Sequence, residues 1–178
     1  VAAQAYWATE GSITAALRRA SAAANQYLFK HNLHAMPEER CYAGLACVTL
    51  HRNEIFALQA GPARVCVLHG SRITCYNPDA DLPHLGMGAL PDTRLKHAFV
   101  FPQDTILLTS LNLIRQAGSD ALSRVLPREN LDDVIAGLGQ IGAGIDFTAM
   151  AIRLSVQGPG RRVQRAPVEP AHPTPSLL

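Results

Sequence analysis

The sequence predicts a mixed α/β domain in which helices pack on mainly antiparallel strands. Near the N-terminus, apolar residues recur at steps of three and four, which is typical of an amphipathic helix. From about residue 45 the apolar period changes to two, which is typical of strands, and helical segments follow from residue 113. Helices on either side of a block of strands predict a layered fold.

The first part of the chain is predicted to be helical. Residues 1–9 are rich in alanine, and Gly11 interrupts this segment before Ser12, a residue type that commonly caps a helix N-terminus. The apolar positions of the next segment follow a helical spacing: Ala16, Leu17, Ala20, Ala24, Tyr27 and Leu28. Their small alanine side chains should let this long helix lie close to a sheet.

Four strands are predicted next, over residues 45–51, 54–60, 64–69 and 72–76. With a turn at residues 52–53, Val48 lies opposite Ala57 and one face of the first two strands is consistently apolar. Gly70 and Ser71 suit a two-residue turn between the third and fourth strands. We therefore expect the four strands to form a meander.

The remaining elements alternate in type. Residues 77–91 contain three prolines and two glycines, so we expect an irregular excursion there. Further strands are predicted over residues 95–101 and 105–110, helices over residues 113–125 and from residue 131, and a closing strand over residues 147–154. Asp132 and Asp133 fall in the first turn of the last helix, where the helix dipole favours acidic side chains.

Composition narrows the functional class. A net charge of +2 without a basic cluster argues against nucleic acid as a partner. No apolar run reaches the length of about 18–20 residues that a membrane span needs, so no membrane association is expected. The N-terminus lacks the pattern of a signal peptide, and a cytoplasmic protein is predicted.

The four cysteines form no C-x-x-C pair, so their spacing argues against a zinc site. The turn at residues 70–71 places Cys66 directly opposite Cys75, where a disulfide is geometrically conceivable. In a cytosolic core the favoured interpretation is two reduced cysteines that pack as small apolar residues.

Two pairs of potential metal ligands have simpler interpretations. His31 and His34 can share a helical face, but no further ligand stands at a recognisable spacing and histidines are favourable near a helix C-terminus. Asp79 and Asp81 form a D-x-D pair, and turn chemistry in a proline-containing loop is favoured for them. The pattern does not continue as a calcium loop.

The C-terminal segment, residues 157–178, is predicted to be a proline-rich linker or tail. Its P-x-x-P stretch at residues 167–170 could occupy an SH3-like groove, although such matches are common in proline-rich tails. Its three arginines are too few for a polybasic membrane anchor.

Four short motifs occur in a fixed order along the domain: Gly61-Pro62-Ala63-Arg64, Leu85-Gly86, Ser110-Leu111-Asn112-Leu113 and Ile145-Asp146-Phe147-Thr148. The order resembles that of the PPM family of metal-dependent serine/threonine phosphatases, whose motifs read G-D-S-R, L-G, S-D-G-L and D-N/D-x-T. The resemblance covers roughly residues 13–155. It implies the phosphatase 2C-like αββα sandwich and, for an active member, Mg²⁺ or Mn²⁺ at the site.

The chain departs from the family at the positions that would bind metal. Leu111 and Ile145 stand where the family has ligand aspartates, and an aliphatic side chain offers no oxygen to a hard cation. Asp146 is the nearest remaining carboxylate, and a turn or cap at the strand entrance is its favoured role. We therefore expect no catalytic residue, no metal ligand and no cofactor. The degenerate motif positions are Gly61, Pro62, Ala63, Arg64, Ser110, Leu111, Asn112, Ile145, Asp146 and Thr148.

The function that follows is that of a pseudophosphatase domain over residues 1–156, a catalytically inactive module that binds a protein or regulates one. The family's first strands and its D-G-x-G-G motif have no match, so we expect an N-terminally incomplete domain, either naturally shortened or a fragment of a longer one, as part of a larger multidomain protein. The alternative is an active phosphoserine/phosphothreonine phosphatase with atypical metal ligands. An active phosphatase predicts a concave cluster of carboxylates at the site. An inactive domain predicts a site filled by Leu111 and Ile145. A docking module predicts an exposed apolar patch.

Overall fold

A computed structural model describes residues 1–77 and 81–155 of the chain. The described elements are, in chain order, α1 (Ala2–Trp7), α2 (Ile13–His34), β1 (Leu45–His51), β2 (Glu54–Ala60), β3 (Ala63–His69), β4 (Arg72–Cys75), β5 (Thr93–Phe99), β6 (Thr105–Ser110), α3 (Leu111–Val125), α4 (Leu131–Ile141) and β7 (Ala149–Arg153). A short 3₁₀ helix spans Pro37–Glu39.

The strands form two antiparallel sheets, and both sheets carry helices on their outer faces. One sheet has three strands in the order β1-β2-β5, and the other has four in the order β4-β3-β6-β7. Between the sheets lies a buried apolar cluster to which Ile55, Val65 and Ile106 belong. On the outer faces, α2 packs on the three-stranded sheet, and α3 and α4 pack on the four-stranded sheet. The predicted layered α/β architecture is confirmed.

The predicted four-strand meander is wrong, because the chain changes sheets between β2 and β3. The register of β1 on β2 is as predicted, with Val48 opposite Ala57. After Ala60 the chain turns through Gly61, whose φ of 61° belongs to the left-handed region. A Cβ on Gly61 would lie 2.7 Å from the Ala43 carbonyl oxygen, so only glycine fits this crossing point. As a result β2 pairs with β5, and β3 pairs with β6.

Helix boundaries follow the capping residues. Ser12 caps α2, as predicted, because its side chain accepts a hydrogen bond from the Ala15 N–H at 3.2 Å. Helix α3 begins at Leu111, directly after β6 and two residues earlier than predicted. Gly118, with a φ of 63° and a ψ of 169°, interrupts α3 and divides it into two helical pieces.

The structure joins Cys66 and Cys75 in a disulfide, which corrects the favoured interpretation of two reduced cysteines. The two residues are directly opposite on β3 and β4, as the turn at residues 70–71 required. Cys66 is fully buried against α3 and α4, so the bridge belongs to the core of the four-stranded sheet.

The closing strand β7 is shorter than the predicted residues 147–154. Within residues 1–77 and 81–155, no helix is long and apolar enough to cross a bilayer. The predicted proline-rich tail and its P-x-x-P stretch at residues 167–170 lie outside the described residues.

Candidate functional site

Three of the four motif segments meet at one end of the four-stranded sheet. Ala63, at the start of β3, pairs with Ser110, at the end of β6. The Leu111 N–H donates to the Pro62 carbonyl oxygen at 2.8 Å, and the Ser110 N–H donates to the Thr148 carbonyl oxygen at 3.0 Å. Backbone hydrogen bonds therefore bring together segments that are far apart in the sequence.

An open cleft of about 390 Å³ lies where these segments meet, between the two sheets. Small and apolar residues dominate its walls: Gly44, Leu45, Ala46, Pro62, Ala63, Leu108, Thr109, Ser110, Thr148 and Met150. The Thr109 hydroxyl donates to the Thr148 carbonyl oxygen at 2.8 Å. The buried Ser110 hydroxyl has no hydrogen-bond partner in the described part of the chain. The cleft has no carboxylate on its walls.

This donor set does not fit the metal ions that the motif order implies. Mg²⁺ and Mn²⁺ are bound by several oxygen ligands, among which carboxylates are preferred. The walls of the cleft supply only hydroxyls and isolated carbonyls, which are too few. Across residues 1–77 and 81–155, no group of three or more histidine, cysteine, aspartate or glutamate residues could hold a metal ion.

The two positions that match the family's ligand aspartates in the motif order, Leu111 and Ile145, lie beside the cleft but do not fill it. Leu111 is 4% exposed and Ile145 is half-buried, and neither side chain lines the cleft. The expectation that these two residues would plug the site is therefore wrong, because small residues line the cleft and leave it open. Asp146 is exposed and absent from the walls, and its carbonyl oxygen accepts a hydrogen bond from the Asn112 side chain at 3.2 Å.

Arg64 is fully buried. Its Nη1 donates to the carbonyl oxygens of Gly61, at 3.1 Å, and Ala63, at 2.8 Å. Burial lowers the pKa of the Arg64 guanidinium, the charge of Arg115 lowers it further, and Asp81 raises it. The side chain thus holds the point where the chain crosses between the sheets.

Two buried asparagines of α2, which the sequence-based prediction did not include, hold the loops beside the site. Asn32 donates to the carbonyl oxygens of Cys41, at 2.8 Å, and Gly86, at 3.0 Å, and accepts from the Cys41 N–H. Asn25 accepts from the Gly86 N–H and donates to the Gly88 carbonyl oxygen. Their signal was in the helical pattern, because Ser21, Asn25 and Asn32 lie at helical spacings of four and seven residues within the apolar stripe.

Gln59 performs a similar task between the sheets. Its side chain on β2 accepts a hydrogen bond from the Val65 N–H on β3 at 2.6 Å and donates to the Tyr76 carbonyl oxygen at 3.1 Å. The residue is 1% exposed, and its two hydrogen bonds satisfy backbone groups where the sheets diverge.

At the opposite end of the four-stranded sheet, the buried Asp104 pairs with the exposed His69, with 2.7 Å between Oδ1 and Nδ1. The second carboxylate oxygen of Asp104 accepts the Phe101 N–H at 2.9 Å. The Asp104 carboxylate can be buried because each of its two oxygens has a hydrogen-bond partner. The pair closes the turn before β6.

The other candidate ligands form no metal site in the described part of the chain. His31 and His34 lie in the last turn of α2, as predicted, and Asp132 and Asp133 lie in the first turn of α4. Asp81 is exposed, and Asp79 lies outside the described residues.

The chain has a PPM phosphatase-like fold. Two antiparallel sheets pack face to face, helices cover their outer faces, and three motif segments meet at one end. Solved structures agree. PppA, described as a key regulatory component of T6SS in Pseudomonas aeruginosa, superposes with a TM-score of 0.73 at 19% identity, over 85% of this chain and 76% of that one. The similarity to the serine/threonine phosphatase Stp1 of Staphylococcus aureus covers 84% of this chain and 70% of that one, at 13% identity and a TM-score of 0.68.

The serine/threonine phosphatase PstP/Ppp of Mycobacterium tuberculosis is also similar, with a TM-score of 0.61 at 14% identity over 80% of this chain and 71% of that one. No protein-family model matches the sequence, and no curated protein matches it either. At these identities the likeness concerns the fold, and the predicted phosphatase 2C-like fold is confirmed.

Proposed function

We propose that this chain is a catalytically inactive PPM-type phosphatase-like domain that binds or regulates a protein. The observation that carries the proposal is the cleft at the meeting point of the motif segments, whose walls offer hydroxyls and apolar groups but no carboxylate. A two-metal phosphatase needs carboxylates to hold its cations close together. The walls of this cleft lack them.

The regulatory part of the proposal rests on the intact framework of the fold. The sheets, their register and the buried polar links at Asn32, Gln59 and Arg64 maintain a specific fold around the altered cleft. A protein of the same fold, PppA, is described as a regulatory component of a secretion system. That description is compatible with a regulatory role for a domain of this fold. A domain without phosphatase activity would act by binding a protein partner.

Calorimetric titration with Mn²⁺, combined with assays on p-nitrophenyl phosphate and a phosphothreonine peptide, tests the absence of activity. We expect no binding heat and no hydrolysis from the full chain. Asp146→Asn should change nothing, and Asp132→Asn, at another exposed aspartate, is its matched control.

A gain-of-function variant makes the test two-sided. If the metal geometry of the fold persists, Leu111→Asp combined with Ile145→Asp should gain Mn²⁺ binding, provided that circular dichroism shows it folded. Micromolar Mn²⁺ binding by the parent that Asp146→Asn abolishes and Asp132→Asn leaves intact would restore the active phosphatase to first place.

A further inference from the structure

A row of aromatic rings lies on the outer face of the three-stranded sheet, on β2 and β5. Ile55 and Ala57 of β2 face the other sheet, so Phe56 between them faces outward. The Phe56 ring stacks on the imidazole of His97 with 4.6 Å between ring centroids, and His97 lies 5.9 Å from the ring of Phe99. Phe99 is 59% exposed, although phenylalanine is among the residues that folding most often buries.

Two further rings extend this row at the end of β5. Phe101 follows Phe99 by two residues, is 50% exposed and lies 5.1 Å from the imidazole of His69. We call these five rings the aromatic strip: Phe56, His69, His97, Phe99 and Phe101. Surfaces lined by aromatic rings are the sites at which proteins bind proline-rich segments in the polyproline II conformation.

The last strand, β7, leads the chain to the end of this strip. The Leu154 N–H donates to the Asp104 carbonyl oxygen at 2.9 Å, and the Leu154 carbonyl oxygen accepts from the Gln103 N–H at 2.8 Å. Asp104 and Gln103 belong to the turn that begins at Phe101, because the Asp104 N–H donates to the Phe101 carbonyl oxygen at 3.1 Å. The residues that follow Ser155 therefore start beside the aromatic strip.

The sequence beyond Ser155 has the chemistry that such a strip binds. Residues 156–178 contain five prolines, and three of them, Pro167, Pro170 and Pro173, recur at every third position. A polyproline II helix has three residues per turn and rises about 3.1 Å per residue, so these three prolines would share one edge over about 19 Å. Ring spacings of 4.6 and 5.9 Å place at least three rings of the strip within that length.

We propose that the aromatic strip binds the chain's own residues 167–173 in the polyproline II conformation. Residues 156–166 connect this segment to Ser155 and can span up to roughly 36–40 Å, which is enough to reach every ring of the strip. Tethering gives the segment an effective concentration on the order of 1 mM, which a proline-rich segment of another protein would have to exceed. The inference goes beyond the proposed function and does not depend on it.

Nuclear magnetic resonance on the full chain tests this docking with a matched set of proline variants. Pro170→Ala combined with Pro173→Ala removes two of the three prolines from the shared edge, and it should shift the amide signals of the aromatic strip. Pro175→Ala removes a proline that lies outside the three-residue period, so it is the control and should leave those signals unchanged.

A synthetic peptide of residues 165–175 competes with the chain's own segment in a calorimetric titration. It should bind the double proline variant about tenfold or more tightly than it binds the parent, because the variant leaves the strip open. Adding Phe99→Thr to the double variant should remove this gain. Tyr27→Ala is the matched control, since Tyr27 is 64% exposed outside the strip, and circular dichroism verifies that both variants are folded.

Unchanged strip signals in the double proline variant, or an equal shift in Pro175→Ala, would overturn the inference. A peptide that binds the parent and the double variant with equal affinity would overturn it as well. Signal differences that vanish on dilution would assign the segment to a second copy and so contradict docking within one chain. None of these outcomes bears on the test of phosphatase activity.

Discussion

The Leu111 N–H lies 2.8 Å from the Pro62 carbonyl oxygen, so the first residue of α3 is held by the crossing point between the two sheets. The N-cap residue Ser110 contributes no side-chain hydrogen bond to this helix start. Backbone contacts to Pro62 and Thr148 fix the segment instead. The side chain of Ser110 therefore contributes no cap to its helix, whereas that of Ser12 does.

We expect Ser12→Ala to lower the free energy of unfolding by about 1 kcal/mol, because it removes the cap that accepts from the Ala15 N–H. Ser110→Ala should change it by no more than about 0.5 kcal/mol, since the hydroxyl has no partner to lose. Urea denaturation of both variants measures the difference. Equal losses would mean that the Ser110 hydroxyl supports α3 after all.

Gly86→Ala should be strongly destabilising. Gly86 has a φ of 90°, and an added Cβ would lie 2.9 Å from the Asn32 amide nitrogen, the Cys41 carbonyl oxygen and the Leu28 Cβ. Backbone strain costs about 1–3 kcal/mol, and overpacking costs about 1–3 kcal/mol more. Thermal or urea unfolding measures the sum.

Gly11→Ala is the control that separates these two costs. Gly11 has a φ of 106°, but an added Cβ there meets no atom within 4 Å. It should show the strain alone, so its loss of stability should be clearly smaller than that of Gly86→Ala. A loss of similar size at both positions would contradict the packing that the structure gives Gly86.

Reduction of the Cys66–Cys75 bridge should lower the free energy of unfolding by about 2–3 kcal/mol, because the bridge restricts a short loop in the unfolded chain. Urea denaturation with and without a phosphine reductant measures this loss in the Cys41→Ser, Cys47→Ala background, which removes the free thiols. A reductant effect that persists after Cys66→Ala and Cys75→Ala would show that it does not come from this bridge.

Stability should fall in alkaline solution through Tyr76. Burial raises the pKa of the Tyr76 phenol, and the charge of Asp104 raises it further. As the pH rises past about 10, the unfolded chain loses this proton first, so stability present at lower pH is lost as the pH rises through the folded pKa.

Urea denaturation between about pH 8 and pH 11 measures the Tyr76 effect in a background without free cysteines, because burial also raises the pKa of the Cys47 thiol. Tyr76→Phe should flatten the alkaline decline, and Tyr27→Phe, at an exposed tyrosine, should leave it unchanged. An unchanged slope in Tyr76→Phe would assign the decline to other groups.

Local patterns predicted the elements and the first register but not the assignment of strands to sheets. Alternation placed Val48 opposite Ala57, and the turn at residues 70–71 placed Cys66 opposite Cys75, because both pairs lie within hairpins. The sheets themselves depend on the distant pairings of β2 with β5 and β3 with β6, which a period-two pattern does not specify.

The candidate site, like the fold, could be predicted only in part from the sequence. Motif order indicated which segments would meet, and residue chemistry indicated that Leu111 and Ile145 could not bind a hard cation. The burial of Arg64 and the open cleft were missed, because both depend on the crossing at Gly61 and on the distance between the sheets. The turn or cap role that the sequence predicts for Asp146 at the strand entrance stays a prediction.

The crossing at Gly61 also has a kinetic consequence. Only the β1–β2 and β3–β4 hairpins can form from neighbouring residues, and each of them waits for a strand more than 30 residues further on to complete its sheet. Topologies with such distant pairings fold slowly, because loop closure precedes the contacts that reward it. During synthesis, both hairpins therefore leave the ribosome before β5 and β6, with the β2 and β3 edges still unpaired, and such edges are open to pairing with another chain.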